Sequence, residues 1–342
     1  MKKAMLWEKL ENKKVKCKLC SRRCIIGENQ VGFCLVRKNV NGILYSLNYG
    51  KLIAANPDPI EKKPLFHFLP GSYAFSIASA GCNFRCIFCQ NWQISQVYKE
   101  GLASEIVGEN YTPQQIVNLA LTYKCKSISY TYTEPTIFFE FAYEVSKLAV
   151  KEGLANTFVT NGYMTPEAIK RISKYLQAAT VDFKGNGNLE FYRKYSSVPF
   201  IQPIFDSLIE MKKRKIFIEI TNLVIPKIGD SEEEFKKLVK WIVENLGEEI
   251  PFHILRFFPH YKLSNLEPTP IKKLERLWKI AKESGLKYVY LGNVPGSNKE
   301  NTYCPECGNL LIERMGFYSS VVGLNKKGEC RKCGTKINII LK

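Results

Sequence analysis

The placement of the 12 cysteines restricts the fold and chemistry of this 342-residue chain more than any other feature, because eleven of them fall into three tight clusters. In a reducing compartment, C-x2-C spacing indicates metal sites rather than disulfide bridges. The clusters differ in the number of ligands that they offer, and a closed ligand set implies a different role from an open one. Cys125 stands alone.

The C-terminal cluster has four cysteines in two C-x2-C-G motifs, CPECG and CRKCG. Four thiolates in this pattern suit a closed tetrahedral zinc site, which leaves no position for a substrate and is therefore structural. The intervening LLIERMGFYSSVVGL is typical of short strands. We predict a zinc ribbon whose ligands are Cys304, Cys307, Cys330 and Cys333.

The N-terminal cluster also has four cysteines, three of them in CKLCSRRC and the fourth after nine intervening residues. These thiolates could hold zinc or a second iron–sulfur cluster, and the spacing does not decide between them. Zinc is the interpretation that we favour from the sequence, and a disulfide pair is the remaining alternative. The four ligands are Cys17, Cys20, Cys24 and Cys34.

The middle cluster, in SIASAGCNFRCIFCQNWQIS, has only three cysteines: Cys82, Cys86 and Cys89. Three protein ligands on a four-iron cluster leave one iron open, and an open position on a metal centre permits chemistry. The preceding YAFSIASAG predicts a strand that ends in a loop, so the cysteines follow the carboxyl end of a strand. In the alternative interpretation Cys125 completes a closed site; otherwise Cys125 is a small buried residue.

Between residues 73 and 291 the sequence alternates strand and helix patterns, which predicts a parallel sheet with helical crossovers. About six strand–helix units favour a partial (β/α)6 TIM-type barrel. An open doubly wound sheet is the alternative, but no Gly-rich phosphate loop follows the first strand. The predicted helices span 112–124, 137–152, 165–176, 204–213, 232–245 and 271–284.

Polar residues follow several predicted strands, and in a barrel they share one rim with the three middle cysteines. Each of them alone has an ordinary explanation, such as a helix cap, a turn or a solvated lysine. Together with an open cysteine triplet they indicate a functional site. These residues are Thr133, Glu134, Thr160, Asn161, Asp182, Lys184 and His260.

The motif CNFRCIFC, with the aromatic Phe88 before the last cysteine, resembles the signature of radical S-adenosylmethionine (SAM) enzymes. The strand-end motifs resemble the branch typified by pyruvate formate-lyase activating enzymes. The stretches CKLCSRRC, DPIEKKPLFHFLPGS and LGNVPGSNKENTYCPECGNLLIER are similar to the radical enzymes of the AmmeMemoRadiSam system. This resemblance spans nearly the whole chain.

The resemblance implies that Cys82, Cys86 and Cys89 hold a [4Fe–4S] cluster whose free iron chelates SAM. It places Thr133 and Glu134 at the methionyl amino group. It places Thr160 and Asn161 near the methionyl carboxylate, makes Asp182 and Lys184 the family's Asp-x-Lys, and puts Phe88 and His260 among the cofactor-binding residues. It also implies an electron donor of the flavodoxin or ferredoxin type and partners such as Memo-like proteins.

Three positions depart from the family pattern. Tyr132 and Thr133 replace two glycines of the second-strand motif. Val159 replaces an acidic residue, so a cation site known in the activating-enzyme branch is not expected here. His260 and Tyr261 occur in swapped order, and either could reach the nucleoside.

Three functions stay open at this point: a radical SAM enzyme with an unidentified substrate, an activating enzyme that acts on a protein glycine, and a non-catalytic nucleic-acid-binding protein. The last rests on the ribbon and on the net charge of +18, which favours polyanions or an acidic partner. A lysine-rich solvated surface explains the same charge.

We expect a cytoplasmic protein, since no apolar run approaches the roughly 18–20 residues of a membrane span and the N-terminal MKKAMLWEKLENKK does not resemble a secretory signal. The predicted regions are 1–70 with the N-terminal cysteines and lead-in, 71–296 with the barrel, and 297–342 with the ribbon.

Overall fold

The computed structural model describes residues 1–342, and its N-terminal part consists of short antiparallel strands. They form two three-stranded sheets, one of the first, sixth and fifth strands and one of the second, third and fourth strands. This part carries the first four cysteines, the earliest of which ends its strand. The strands are β1 (Lys2–Lys3), β2 (Trp7–Lys9), β3 (Val15–Cys17), β4 (Ile25–Ile26), β5 (Arg37–Val40), β6 (Ile43–Ser46) and β7 (Lys51–Leu52).

The middle of the chain forms one eight-stranded sheet. Its strands are β8 (Ala54–Pro59), β9 (Tyr73–Ala78), β11 (Ser127–Tyr130), β12 (Ala155–Thr160), β13 (Ala178–Lys184), β14 (Phe217–Val224), β15 (Phe252–Arg256) and β16 (Val289–Gly292), while β10 (Glu109–Asn110) pairs with β7. The seven strands from β9 to β16 are parallel in chain order, and β8 adds an antiparallel edge. No ladder joins β16 to β8, so the barrel is incomplete. The predicted partial barrel is confirmed.

Helices fill the crossovers between the parallel strands. They are α1 (Trp92–Ser95), α2 (Pro113–Thr122), α3 (Phe139–Lys151), α4 (Pro166–Ile172), α5 (Leu189–Ser196), α6 (Gln202–Lys213), α7 (Glu232–Asn245) and α8 (Ile271–Glu283). Every predicted helix is present. The sequence analysis missed α1 and α5, and it extended α4 four residues too far, to 176.

Local sequence signals explain where several helices begin. Thr112 and Gln115 form a capping box at α2, with proline at the first helical position. The Thr165 side chain caps α4 by accepting a hydrogen bond from the Ala168 N–H, again with proline at the first helical position. Ser231 caps α7, whose first turn carries three glutamates that complement the positive end of the helix dipole.

The amino-terminal end of the barrel is filled by the segment 60–69. Buried Glu219 on β14 accepts hydrogen bonds from the backbone N–H groups of Phe66 and His67, at 3.0 and 2.7 Å, and lies 2.8 Å from the Nε2 of His253. On β13, Thr180 donates to the carbonyl of Lys63. Because this segment blocks one end of the barrel, the carboxyl ends of the strands are the open end.

The C-terminal part is a small antiparallel sheet of β17 (Thr302–Tyr303), β18 (Leu310–Met315) and β19 (Tyr318–Val321). It packs against the segment 60–69. Buried Arg314 donates to the Phe66 carbonyl, and Ile340 pairs with Phe68. The ribbon therefore covers the blocked end of the barrel. No helix in the structure is long and apolar enough to span a membrane.

Candidate functional site

The loop with the three middle cysteines follows β9 at the carboxyl edge of the parallel sheet. Cys86 is buried, while Cys82 and Cys89 are half-buried. Gly81 has a φ of +104°, and a Cβ added there would lie 3.4 Å from the carbonyl oxygen of Cys34. The triplet therefore lies at the open end of the barrel, in direct contact with the N-terminal part.

Hydroxyl groups contact two of the three sulfurs. Ser196 Oγ lies 3.3 Å from Cys86 Sγ, and Ser95 Oγ lies 3.1 Å from Cys89 Sγ. Burial raises the pKa of Cys86 to about 11, so this thiol releases its proton only when a cation binds. Both hydroxyls can rotate to donate to thiolates. The sequence analysis missed both serines.

Lys99 is a further residue of the site that the sequence analysis missed. Its ammonium donates to the carbonyl oxygens of Cys82 and Phe84, at 2.6 and 2.5 Å. Burial lowers the pKa of Lys99, and the Cys82 thiol acts in the opposite direction. A positive charge is thus fixed behind the cysteine loop.

Cys125 lies at the other end of the sheet. It precedes β11, and the next residue, Lys126, bonds to Tyr73 at the start of β9. The cysteine triplet follows the far end of β9. The alternative in which Cys125 completes the middle cluster is therefore wrong, and Cys125 is a buried residue of the core.

Glu134 links the ends of β11 and β12. Its buried carboxylate accepts hydrogen bonds from the Thr160 hydroxyl and the Asn161 backbone, both at 2.8 Å, and from the Thr136 backbone at 3.0 Å. Burial raises the pKa of Glu134, and these hydrogen bonds act against the rise. The structure thus brings three of the predicted rim residues together.

Tyr132 adopts a φ of +62°, a conformation that favours glycine and that few other residues adopt. The family that the sequence resembles has glycine at the position of Tyr132. This chain therefore keeps the positive φ at that position although the residue is not glycine. Asn91 donates to the Tyr132 carbonyl, and the phenol donates to Asp58. The neighbouring Thr133 hydroxyl donates to the Ser79 carbonyl at 2.7 Å, which ties this turn to the cysteine loop.

Asn161 reaches from β12 to the cysteine loop. Its Nδ2 donates to Asn83 Oδ1 at 2.7 Å and lies 4.0 Å from Cys82 Sγ. Asn83 is fully buried, and its own Nδ2 has no hydrogen-bond partner. A buried donor without an acceptor is costly, and this side chain lines the cavity of the N-terminal cysteines.

Asp182 and Lys184 form an ion pair at the end of β13, with Nζ and Oδ2 3.5 Å apart. Burial lowers the pKa of Lys184, but Asp182 and the three cysteine thiols of the site outweigh burial and raise it. The Thr221 hydroxyl donates to Asp182. A protonated lysine therefore faces the cysteine triplet.

Two predicted residues have weaker links to the site. The half-buried His260 side chain forms no hydrogen bond; its neighbour Tyr261 stacks on Trp92, with ring centroids 4.9 Å apart. Phe88 is buried and packs against Phe191 at 5.5 Å. Of the swapped pair, Tyr261 is thus the residue that contacts the chain after the cysteine loop.

The C-terminal cysteines form a compact group, with all four sulfurs within 4.8 Å of one another. Cys304 and Cys333 are 3.5 Å apart, and Cys307 and Cys330 are 3.7 Å apart. A tetrahedral ion with Zn–S bonds of about 2.3 Å spaces its sulfurs by about 3.8 Å. The geometry therefore suits one metal ion.

The three middle cysteines fit an iron–sulfur cluster with one open iron. The side chains within hydrogen-bond distance of their sulfurs are those of Ser95, Ser196, Asn83 and Asn161, and none of these is a usual iron ligand. The cations Lys99 and Lys184 lie close enough to offset the negative charge of such a centre.

Comparisons with known proteins agree with this arrangement. Residues 76–242 match the Radical SAM superfamily. An uncharacterised protein of Methanocaldococcus jannaschii is 45% identical over 342 residues, 100% of both chains. A proposed glycyl-radical enzyme activating enzyme of the same organism is 26% identical over 167 residues, 47% of this chain and 65% of that protein.

Among solved structures, Streptococcus suis SuiB bound to its precursor peptide SuiA superimposes with a TM-score of 0.50 at 13% sequence identity. The match covers 69% of this chain and 52% of SuiB. At this identity the likeness concerns the fold alone.

Proposed function

Because residues 76–242 match the Radical SAM superfamily and the chain is therefore a radical SAM enzyme, we propose that Cys82, Cys86 and Cys89 bind a [4Fe–4S] cluster whose open iron takes SAM. The observation that supports this proposal most is a triplet of sulfurs, without a fourth protein ligand, at the open end of a partial barrel. When bound, the cluster and SAM supply reductive cleavage to methionine and a 5′-deoxyadenosyl radical that abstracts hydrogen from the substrate.

The rim residues bind and orient the methionyl group in this proposal. Lys184, held by Asp182, offers its ammonium to the carboxylate. The Asn161 amide, placed beside Cys82, is a second donor on that side. Because the carboxylate of Glu134 already accepts several hydrogen bonds, it supports the amino-group site by holding the Thr160 hydroxyl and the Asn161 backbone in place.

The outer part of the site would receive the nucleoside. His260 and Tyr261 lie on the loop after β15, and Tyr261 stacks on Trp92 at the start of α1. The Lys262 N–H binds the Ile87 carbonyl of the cysteine loop. Phe88, which belongs to the cysteine loop, supports that loop by packing on Phe191. The same loops exclude water from the reacting group.

The substrate remains unidentified, and a protein or peptide is the class that we propose. Because the three sequence stretches quoted in the sequence analysis resemble the radical enzymes of the AmmeMemoRadiSam system, we propose that the chain belongs to this system and has Memo-like partners. A one-electron donor is required, and we propose a flavodoxin or ferredoxin in the cytoplasm, with zinc in the C-terminal ribbon.

A glycyl radical enzyme activase is the second candidate. It is favoured by the 26% identity to a proposed activating enzyme. Its substrate would be a glycine of a partner protein, and turnover would leave an EPR-detectable radical on that partner.

The test of the leading proposal is release of 5′-deoxyadenosine from SAM by anaerobically reconstituted protein with a reductant. We expect product from the wild type and from Cys125→Ala, and none from Cys82→Ala. Cys125→Ala is the matched control because it also replaces a single cysteine by alanine, at a position away from the site. A wild-type sample with a full cluster but no product would contradict the proposal.

A further inference from the structure

The N-terminal cysteines differ from the ribbon cysteines in the spacing of their sulfurs. The ribbon cysteines are the only group of three or more histidines, cysteines or acidic residues whose ligand atoms all lie within 4.8 Å of one another. No three of the N-terminal sulfurs meet this limit, and neither do the three middle cysteines. In sulfur spacing, the N-terminal group therefore resembles the proposed cluster site rather than the compact site.

The four N-terminal cysteines nevertheless face one another. They line a single cavity together with Arg22, Arg37 and Asn83. Four sulfurs closed around one zinc ion would lie about 3.8 Å from one another, closer than the N-terminal sulfurs do. A four-iron cluster places its cube of iron and sulfide between the thiolates and so holds them further apart.

Two buried donors of the cavity wall have no partner. Arg37 is 2% exposed and Asn83 is 0% exposed, yet the Arg37 Nε and the Asn83 Nδ2 form no hydrogen bond. The other guanidinium nitrogens of Arg37 bind Glu140 and the Met5 carbonyl. Thiolate and sulfide sulfurs in the cavity would supply the missing acceptors.

We propose that Cys17, Cys20, Cys24 and Cys34 bind a second [4Fe–4S] cluster, in place of the zinc that the sequence favoured. Four thiolates leave no open iron, so the role of this cluster is electron transfer. It would pass one electron to the cluster at Cys82, Cys86 and Cys89; this part of the proposal rests on the proposed function.

The two sites share a wall, which gives the electron a short path. Arg22, from the CKLCSRRC motif, donates to the Asn83 carbonyl next to Cys82. The ring of Phe33 lies 3.4 Å from the Arg22 guanidinium and 4.5 Å from that of Arg85. Arg85 belongs to the middle cluster motif, so Phe33 and Arg22 connect the two loops.

The electron count is simple. A reduced one-electron carrier protein takes the second cluster from the 2+ to the 1+ state. That cluster returns to 2+ as the cluster at the middle cysteines goes from 2+ to 1+. No bond forms or breaks in this transfer, and no proton moves.

Metal analysis of the full-length Cys82→Ala/Cys86→Ala/Cys89→Ala variant tests the identity of the second cluster without requiring turnover. After anaerobic reconstitution we expect about four iron and four sulfide per chain, one zinc, and an EPR signal on reduction with dithionite. Iron-free protein, whether with one zinc or two, would overturn the proposal.

A second variant, which keeps the three middle cysteines, tests the same proposal in case the triple variant does not fold. Cys17→Ala/Cys20→Ala should halve the iron of the wild type, from about eight to about four per chain, and keep its zinc. Cys125→Ala should keep all the metal. Loss of one zinc with unchanged iron in Cys17→Ala/Cys20→Ala would show that the N-terminal site is a zinc site.

Electron transfer is tested by the choice of reductant. With a reduced flavodoxin or ferredoxin, Cys17→Ala/Cys20→Ala should lose most of its 5′-deoxyadenosine formation, while dithionite, which diffuses to the open end, should sustain it. Equal loss with both reductants would overturn the transfer role. If the wild type formed no 5′-deoxyadenosine, only the proposed function would be contradicted, because the metal analysis does not depend on turnover.

Discussion

Lys184 combines partial burial with a position inside the field of three cysteine thiols, and its charge is stabilised by Asp182. A lysine ammonium in this setting forms a strong charge-assisted contact with a carboxylate, worth about 1.5–3 kcal/mol. We therefore expect Lys184→Met to weaken SAM binding by about tenfold or more. Equilibrium dialysis on the reconstituted protein measures this change.

The matched control is Lys240→Met on α7, where the side chain is 75% exposed and pairs only with Glu244. This variant also removes one positive charge, so it corrects for the net charge of the protein. If both variants bind SAM alike, Lys184 has no role in SAM binding.

At the level of single residues, spacing in the sequence was enough to group the cysteines, because thiolate clusters follow local motifs. It could not reveal Ser95, Ser196 or Lys99. A serine in a short helix and a lysine in a loop have no distinctive pattern, and their contacts with the cysteine loop exist only after the chain has folded. At Tyr132, in contrast, the sequence did give a signal. The family that the sequence resembles has glycine at this position, and the backbone there has a positive φ.

Among the elements, the turn after β12 depends on Gly162. Its φ is +72°, and a Cβ would lie 2.8 Å from Val181 and 3.0 Å from Ile204. Gly153 has the same φ with nothing within 4 Å. We expect Gly153→Ala to cost about 1 kcal/mol through backbone strain, and Gly162→Ala to cost about 1–3 kcal/mol more through overpacking.

Chemical denaturation of the two glycine variants measures both free energies of unfolding. Equal losses of stability would show that the packing around Gly162 yields without cost. We expect the larger loss of stability in Gly162→Ala. This variant should also bind SAM less well, because the neighbouring Asn161 lies in the same turn.

The segment 60–69 gives the protein a predictable response to acid. His67 is fully buried against Tyr290 and the Asn338 carbonyl, and burial lowers its pKa to about 4. The unfolded chain binds a proton at this position below about pH 6.5, and the folded chain does not. The free energy of unfolding should therefore fall by about 3 kcal/mol as the pH drops from about 6.5 to about 4.

Comparing the pH dependence of unfolding in wild type and His67→Gln isolates this effect, because acid loss of metal affects both proteins. The decrease between pH 6.5 and 4.5 should be smaller in the variant. The pKa of nearby Glu219 is lowered because its bonds with His253 outweigh burial, so its contribution disappears only below that range. Parallel curves for the two proteins would contradict the prediction.

Element boundaries followed the sequence wherever a cap was encoded, as at Thr112, Thr165 and Ser231. The helix α5 was missed because its eight residues are polar on average and its cap, Asn188, directly follows a short segment of glycine and asparagine. The predicted end of α4 at 176 was too late. Leu176 is buried, as an apolar residue of a helix would be, but it lies in the turn before β13.

For the whole molecule, the alternation of strand and helix patterns was sufficient to predict the partial barrel. It could not show how the end parts attach. The ribbon covers the blocked end of the barrel through Arg314, and the N-terminal part packs against the open end through Arg22. These contacts join residues far apart in sequence. The division at 1–70, 71–296 and 297–342 stays a prediction.

The most direct measurement of the central claim is EPR of the reduced cluster at Cys82, Cys86 and Cys89 with and without SAM. The Cys17→Ala/Cys20→Ala variant gives this spectrum without a contribution from the N-terminal site. If SAM binds the open iron, its addition shifts the g-values of the cluster. A spectrum that is the same with and without saturating SAM, in a sample with a full cluster, would contradict the account.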